Sequence, residues 1–190
     1  MDYDKINKNS IKIIETLIQG KKYFNEIHEK TGIKSKNNLL KNLNNLVNSK
    51  VLLKEEKKAN TFFLINYSNN VSIAIISLIN SVKFEKLPFN IKKSIIECIL
   101  KLKPKIAILF GSYAKNSYNK ESDIDLLFFD SIMERKEEIK DISKSYGVKI
   151  SVIFMYFAKL NLQSEAVKHI FKTGYPLTGE IYFYNEYKKI

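Results

Sequence analysis

Gly111-Ser112 and the pair Asp123 and Asp125, with ten residues between Ser112 and Asp123, are the residues of this chain whose types and spacing could do chemistry. A glycine lets the backbone turn tightly and come close to a ligand. Amides after such a turn can cradle phosphate oxygens, and the Ser112 hydroxyl can add a hydrogen bond. Lys115, three residues on, can assist with its charge. Asp123 and Asp125 are two apart, so on a strand both side chains leave the same face. Two adjacent carboxylates repel unless a cation sits between them. Mg²⁺ is the usual partner, held by a few carboxylates together with substrate phosphates. The chemistry this implies is attack on a nucleoside triphosphate whose charge the metal offsets.

These residues need strands to hold them. Ile106-Ala107-Ile108-Leu109-Phe110 is a continuous apolar run suited to a buried strand. Asp123 to Phe129 reads as a second strand, Ser131 to Tyr146 as a charged helix and Val148 to Tyr156 as a third strand. Ser164 to Phe171 reads as a closing helix, followed by Gly174-Tyr175-Pro176. Strands and helices therefore alternate in this half of the chain. Before it, Val71, Ile75, Ile76 and Ile79 form one helical stripe and Ile91, Ile95, Ile99 and Leu102 another. Leu87-Pro88 separates the two and Pro104 ends the second.

The segment 111–127 resembles the nucleotidyltransferase superfamily related to DNA polymerase beta. It looks closest to the minimal nucleotidyltransferases of prokaryotes, which include antitoxin partners of HEPN-domain toxins. Gly111, Ser112, Tyr113, Ala114 and the run Ser122-Asp123-Ile124-Asp125-Leu126-Leu127 fit that pattern. Lys115 stands where Arg is common and Asn116 where Gly is common. The resemblance covers about residues 104–180. It implies that Asp123 and Asp125 are catalytic and bind Mg²⁺, and that Gly111, Ser112 and Lys115 bind nucleotide. ATP or another NTP would donate a nucleotidyl group to a hydroxyl on a protein or nucleic acid, and a HEPN-type toxin could be the protein partner. The family adds a third carboxylate on the following strand. Here that strand carries no acid, and Ser151 stands at the expected place.

Residues 1–67 read as three helices and a hairpin. Ile11, Ile14, Leu17 and Ile18 recur at helical spacing up to Gly20, and a short helix through Phe24, Ile27 and His28 ends at Thr31-Gly32. Ser35 can cap a third helix with an apolar face of Leu39, Leu40, Leu43, Leu46 and Val47. Its other face carries Lys36, Asn37, Lys41, Asn44, Asn45 and Asn48. The runs 51–53 and 61–65 are strand-like. This layout resembles a winged helix-turn-helix. The resemblance implies DNA contacts from Lys36, Asn37, Lys41 and Asn44 on the third helix, and from the wing lysines Lys54, Lys57 and Lys58. The plain alternative is that these Lys and Asn side chains merely solvate an exposed helix face.

Composition bounds the rest. The net charge is +12, shared as +6 in residues 1–67 and +6 beyond, which favours polyanionic partners without specifying one. Cys98 is the only cysteine, so no intrachain disulfide can form. This fits a reducing cytoplasm, and no membrane segment is expected. His28 and His169 lack metal-ligand spacing. The fold expected is α+β. It comprises a winged helix-turn-helix over 1–68, a helical connector over 69–103, and a nucleotidyltransferase-like α/β domain with a mixed sheet over 104–190. A homodimer is expected by analogy with winged-helix regulators. The rival reading is a weak or inactive transferase fold serving as a transcriptional regulator or antitoxin-like binding protein.

Overall fold

The computed structural model describes residues 6–57, 60–131 and 136–190. Two compact units divide it, Met1–Ile79 and Asn80–Ile190. Among the described residues no helix is long and apolar enough to cross a membrane.

The first unit holds α1 (Lys8–Leu17), β1 (Lys22–Tyr23), α2 (Phe24–Thr31), α3 (Lys36–Asn48), β2 (Leu52–Lys57), β3 (Asn60–Ile65) and the start of α4 (Asn70–Glu85). Asn7 caps α1 and Ser35 caps α3, each side chain accepting from amides of the first turn. Gly32 ends α2 in the left-handed region, at φ 63°. The strands form an antiparallel sheet ordered β1-β3-β2. The two-residue β1 gives no periodic signal of its own.

The apolar face of α3 is narrower than its leucine content suggests. Leu39, Leu43 and Leu46 are buried, but Leu40 is 46% exposed. Positions 39, 43 and 46 follow the 3.6-residue repeat, whereas 40 lies one residue, about 100°, around the helix. Asn42 takes the buried place instead. Its amide donates to the Asn38 backbone oxygen and to Asn38 Oδ1, both at 2.8 Å. Its own Oδ1 accepts from Ser10 Oγ of α1 at 3.3 Å. A buried amide is tolerable because those bonds satisfy it.

The second unit holds the rest of α4, then α5 (Phe89–Leu102), β4 (Ile106–Phe110), α6 (Gly111–Lys115), β5 (Ile124–Phe129), α7 (Lys136–Tyr146), β6 (Ile150–Met155), α8 (Glu165–Thr173), β7 (Tyr175–Thr178) and α9 (Glu180–Tyr187). The sheet is mixed, ordered β6-β5-β4-β7. The pair β5–β6 is parallel; β4 runs antiparallel to both β5 and β7. The expected third strand is shorter at both ends. The helix expected from Ser131 is described only from Lys136; Ser131 lies outside it and donates its hydroxyl to Leu102 O at 2.6 Å. The helix expected to close the chain is followed by β7 and α9. Gly174 permits the close turn between α8 and β7, since a Cβ there would lie 2.7 Å from Leu109 O.

Alternation along the strands gives the sheet two different faces. One face packs Ala107, Leu109, Ile124, Leu126 and Phe128 against Ile91, Ile95, Cys98 and Leu102 of α5 and Ile139 and Ile142 of α7. The 69–103 stretch thus supplies α5 to this core. Burial pushes the Cys98 thiol up to about 12, and it behaves as a small hydrophobe. The other face carries buried Ile106, Ile108, Leu127 and Phe129. There the Phe129 ring meets Phe171 of α8, which stacks on Phe183 of α9 with centroids 4.8 Å apart. Each fully buried aromatic contributes roughly 1.5–3 kcal/mol of transfer free energy.

Candidate active site

Three strand ends and one turn converge at a single edge of the second unit's sheet. β4 ends at Phe110, whose register partner on β5 is Asp125. The next residue, Gly111, opens α6 with φ 71°, a left-handed conformation natural to glycine. A side chain here would also run into the Asp125 carboxylate, since an added Cβ would meet its Oδ2 and Cγ. The glycine therefore serves the turn and leaves room for the acid. Ser112 follows on the same turn, half-buried.

Asp123 lies just before β5 and is exposed, while Asp125 is half-buried on the strand. Burial, and next the charge of Asp123, hold the Asp125 carboxyl above its ordinary value. The structure thus brings together Gly111, Ser112, Asp123 and Asp125. The two neighbouring acids form a donor set of hard oxygens. Among the described residues no third His, Cys, Asp or Glu joins them. The set is too small for a cage made by protein alone, but it fits a magnesium ion that completes its shell with phosphate oxygens and water.

The register partner of Asp125 on β6 is Ser151. Register partners share a face and lie about 4.8 Å apart, so a hydroxyl occupies the position beside the carboxylate. Ser151 is exposed, and its hydroxyl has no partner among the described residues. Other acids do not replace it. Glu138 and Asp141 are on α7, which covers the opposite face, and Glu138 lies 3.7 Å from Lys101. Asp130, at the far end of β5, accepts the Phe157 amide at 2.9 Å.

Lys115 ends α6, exposed, with Nζ 3.5 Å from His169 Nε2 of α8. Nothing in the sequence links these two positions, 54 residues apart. Tyr113 is buried and stacks on Tyr118 with centroids 4.5 Å apart. Its phenol is pushed up by burial, then by Tyr118 and by Asp123, which places the ring near the exposed aspartate. On that side of the 118–122 loop lies a cleft of about 440 Å³, lined by Pro88, Ile91, Tyr113, Tyr118, Ser122 and Lys149 among others.

In the first unit, Lys36, Asn37, Lys41 and Asn44 are all exposed on α3. Asn37, Leu40, Lys41, Asn44 and Asn45 line one shallow depression. The hairpin differs. Lys54 pairs with Glu56 at 2.7 Å, and Lys21 pairs with Glu55 at 2.8 Å. Lys57 is exposed, and its charge also acts on the Glu55 carboxyl, which Lys21 chiefly holds below its ordinary value. Its lysines thus face acids from the same hairpin. Lys58 lies outside the described residues.

Residues 91–173 match the family model described as "Nucleotidyltransferase domain". Over 64 residues the chain is 39% identical to a protein of Methanocaldococcus jannaschii named "Putative protein adenylyltransferase MJ0141". That stretch is 32% of this chain and spans 65% of the relative's length. Among solved structures, a chain of "Crystal structure of the toxin-antitoxin with AMP-PNP" is similar at a TM-score of 0.40 and 19% identity, over 51% of this chain and 83% of that one.

Proposed function

We propose that the second unit transfers a nucleotidyl group from a nucleoside triphosphate, ATP first among them, to a hydroxyl acceptor. The observation that carries this reading is the fit of Gly111 against Asp125. A left-handed glycine is packed against a carboxylate at the point where a nucleotidyltransferase needs phosphate grip and cation site side by side. Gly111 and Ser112 hold the β- and γ-phosphates, and Lys115 adds charge from the end of the same turn. Asp123 and Asp125 hold Mg²⁺, which when bound offsets the charge that builds up on the phosphate during attack. The name of the archaeal relative favours a protein hydroxyl as the acceptor and adenylyl as the group.

The first unit is a winged helix-turn-helix that binds DNA. Three helices followed by an antiparallel hairpin support this, as does the acid-free outer face of α3. In this reading α3 enters the major groove, Asn37 and Asn44 bond adenine edges, and Lys36 and Lys41 reach guanine or phosphate. Lys54 and Lys57 contribute less than composition suggests, because acids accompany them.

Incubation with triphosphate labelled at the α-phosphate, Mg²⁺ and candidate acceptor proteins tests the first part. Transfer is expected from the wild type and not from Asp123→Ala/Asp125→Ala. Equal transfer by the variant would remove the reading. A second reading has its own support in Ser151. With a hydroxyl where a third acid is expected, the fold could act as an antitoxin-like or DNA-bound regulator that holds nucleotide without turning it over. Nucleotide binding without transfer to any acceptor, together with a salt-sensitive shift of duplex DNA, would select it.

A further inference from the structure

The end of the sheet that carries the aspartate pair also carries a hydroxyl of the chain's own. Ser151 is the register partner of Asp125, on the same face, about 4.8 Å away across the strand pair. Its strand, β6, is at the end of the sheet order, so no further strand among the described residues covers it. The side chain is exposed and its hydroxyl is unpartnered among the described residues. Neighbouring hydroxyls are committed otherwise. Ser122 Oγ accepts the Asn119 amide at 2.9 Å and donates towards Asn119 Oδ1. Tyr113 is buried in the core. Ser112 belongs to the phosphate turn.

We propose that Ser151 is an acceptor built into the site, so that the chain nucleotidylates its own β6. This rests on the nucleotidyl-transfer reading above and narrows it. Ser151 Oγ attacks the α-phosphorus of the bound triphosphate. The new Oγ–P bond forms as the bond from the α-phosphorus to the α,β-bridging oxygen breaks. Pyrophosphate leaves with that electron pair, and the hydroxyl proton passes to solvent. The product is a Ser151 phosphodiester to the nucleoside, with no change in oxidation state. A nucleophile held by the same sheet as the phosphate turn gains the advantage of an intramolecular reaction, where effective concentrations reach about 10⁵–10⁸ M for well-aligned groups.

The test incubates the full chain with ATP labelled at the α-phosphate and Mg²⁺, with no other acceptor, followed by peptide mapping. One nucleotidyl group is expected on the peptide holding Ser151. Label should disappear in Ser151→Ala and return at a reduced rate in Ser151→Thr, which keeps the hydroxyl. Tenfold dilution of the protein should leave the fractional rate unchanged. A rate that falls tenfold would mean transfer between copies and would overturn the intramolecular proposal. So would label confined to other residues, or absence of label. If wild type and Ser151→Ala both transfer to an added acceptor while Ser151 stays unlabelled, this inference fails and the broader reading stands. If Asp123→Ala/Asp125→Ala labels Ser151 as well as the wild type does, the broader reading fails.

Discussion

The outer face of α3 and the strand ends around Gly111 offer two ways of placing candidate side chains. On α3 the exposed Lys36, Asn37, Lys41 and Asn44 stand on a helix whose buried face is secured separately by Leu39, Leu43 and Leu46. Each outward side chain can change without moving the others. Around Gly111, the turn, the carboxylate and the register of three strands occupy each other's space. A surface read by independent contacts should lose function by degrees. A site held by mutual exclusion should lose it at once.

Gly111→Val should break this contrast most sharply, if it can be broken. The side chain needs space that Asp125 holds and a φ of 71° that a β-branched residue resists. Transfer should fall at least about 100-fold, the scale of an ångström-level misplacement. A circular-dichroism melt should show a cost of about 1–3 kcal/mol from the strained backbone. Near-normal kinetics would mean that the turn has slack.

The graded counterpart is Lys41→Glu on α3. It should weaken binding to duplex DNA in a titration at several salt concentrations and flatten the salt slope by about 1 or more. Lys54→Glu, whose ammonium is already beside Glu56, should do markedly less in the same assay. Equal effects would mean that the hairpin lets go of its acids on DNA.

Ser35→Ala removes the oxygen that accepts the Asn38 amide at 3.2 Å. It should cost about 1 kcal/mol of stability by denaturant titration, and leave transfer untouched. The smallest effect concerns the acid pair itself. The folded state holds the Asp125 carboxyl above its ordinary value, mainly by burial and then by Asp123. The folded chain therefore takes up a proton before the unfolded chain does, so this group's share of stability grows as pH falls through its raised value. It is complete below the ordinary carboxylate value and absent at neutral pH. Asp125→Asn should accordingly raise the melting temperature slightly at pH 7, and the gain should shrink toward acid pH. A variant melting lower than the wild type at pH 7 would show that the carboxylate is not a burden to the fold.

The same contrast decides what could be read in the sequence. Gly111, Ser112, Asp123 and Asp125 lie within fifteen residues, so their chemistry is legible from spacing alone. Ser151 was locatable because strand alternation fixes which residue of β6 can face Asp125. His169 beside Lys115 was not, since nothing local connects α6 to α8. On α3 the leucine content misleads by phase, since Leu40 is exposed while Leu39 and Leu43 are buried. The buried place belongs to Asn42, whose partner Ser10 lies 32 residues away. β7 and α9 leave no clear signal, because Pro176 reads as a break and because α9 spreads its aromatics around the helix rather than along one stripe.

β5 has an asymmetry of its own. On the face that carries Leu127, its first residue is the acid and its last is Phe129, set among Phe157 and Phe171. Four residue steps of strand separate the two, about 13 Å. The carboxylate therefore sits near the leading tip of a strand whose far end is clamped by edge-to-face rings. How sharply the tip is aimed depends on how firmly that clamp grips. Phenylalanines at one end of the strand thus bear on how the carboxylate at the other end is held.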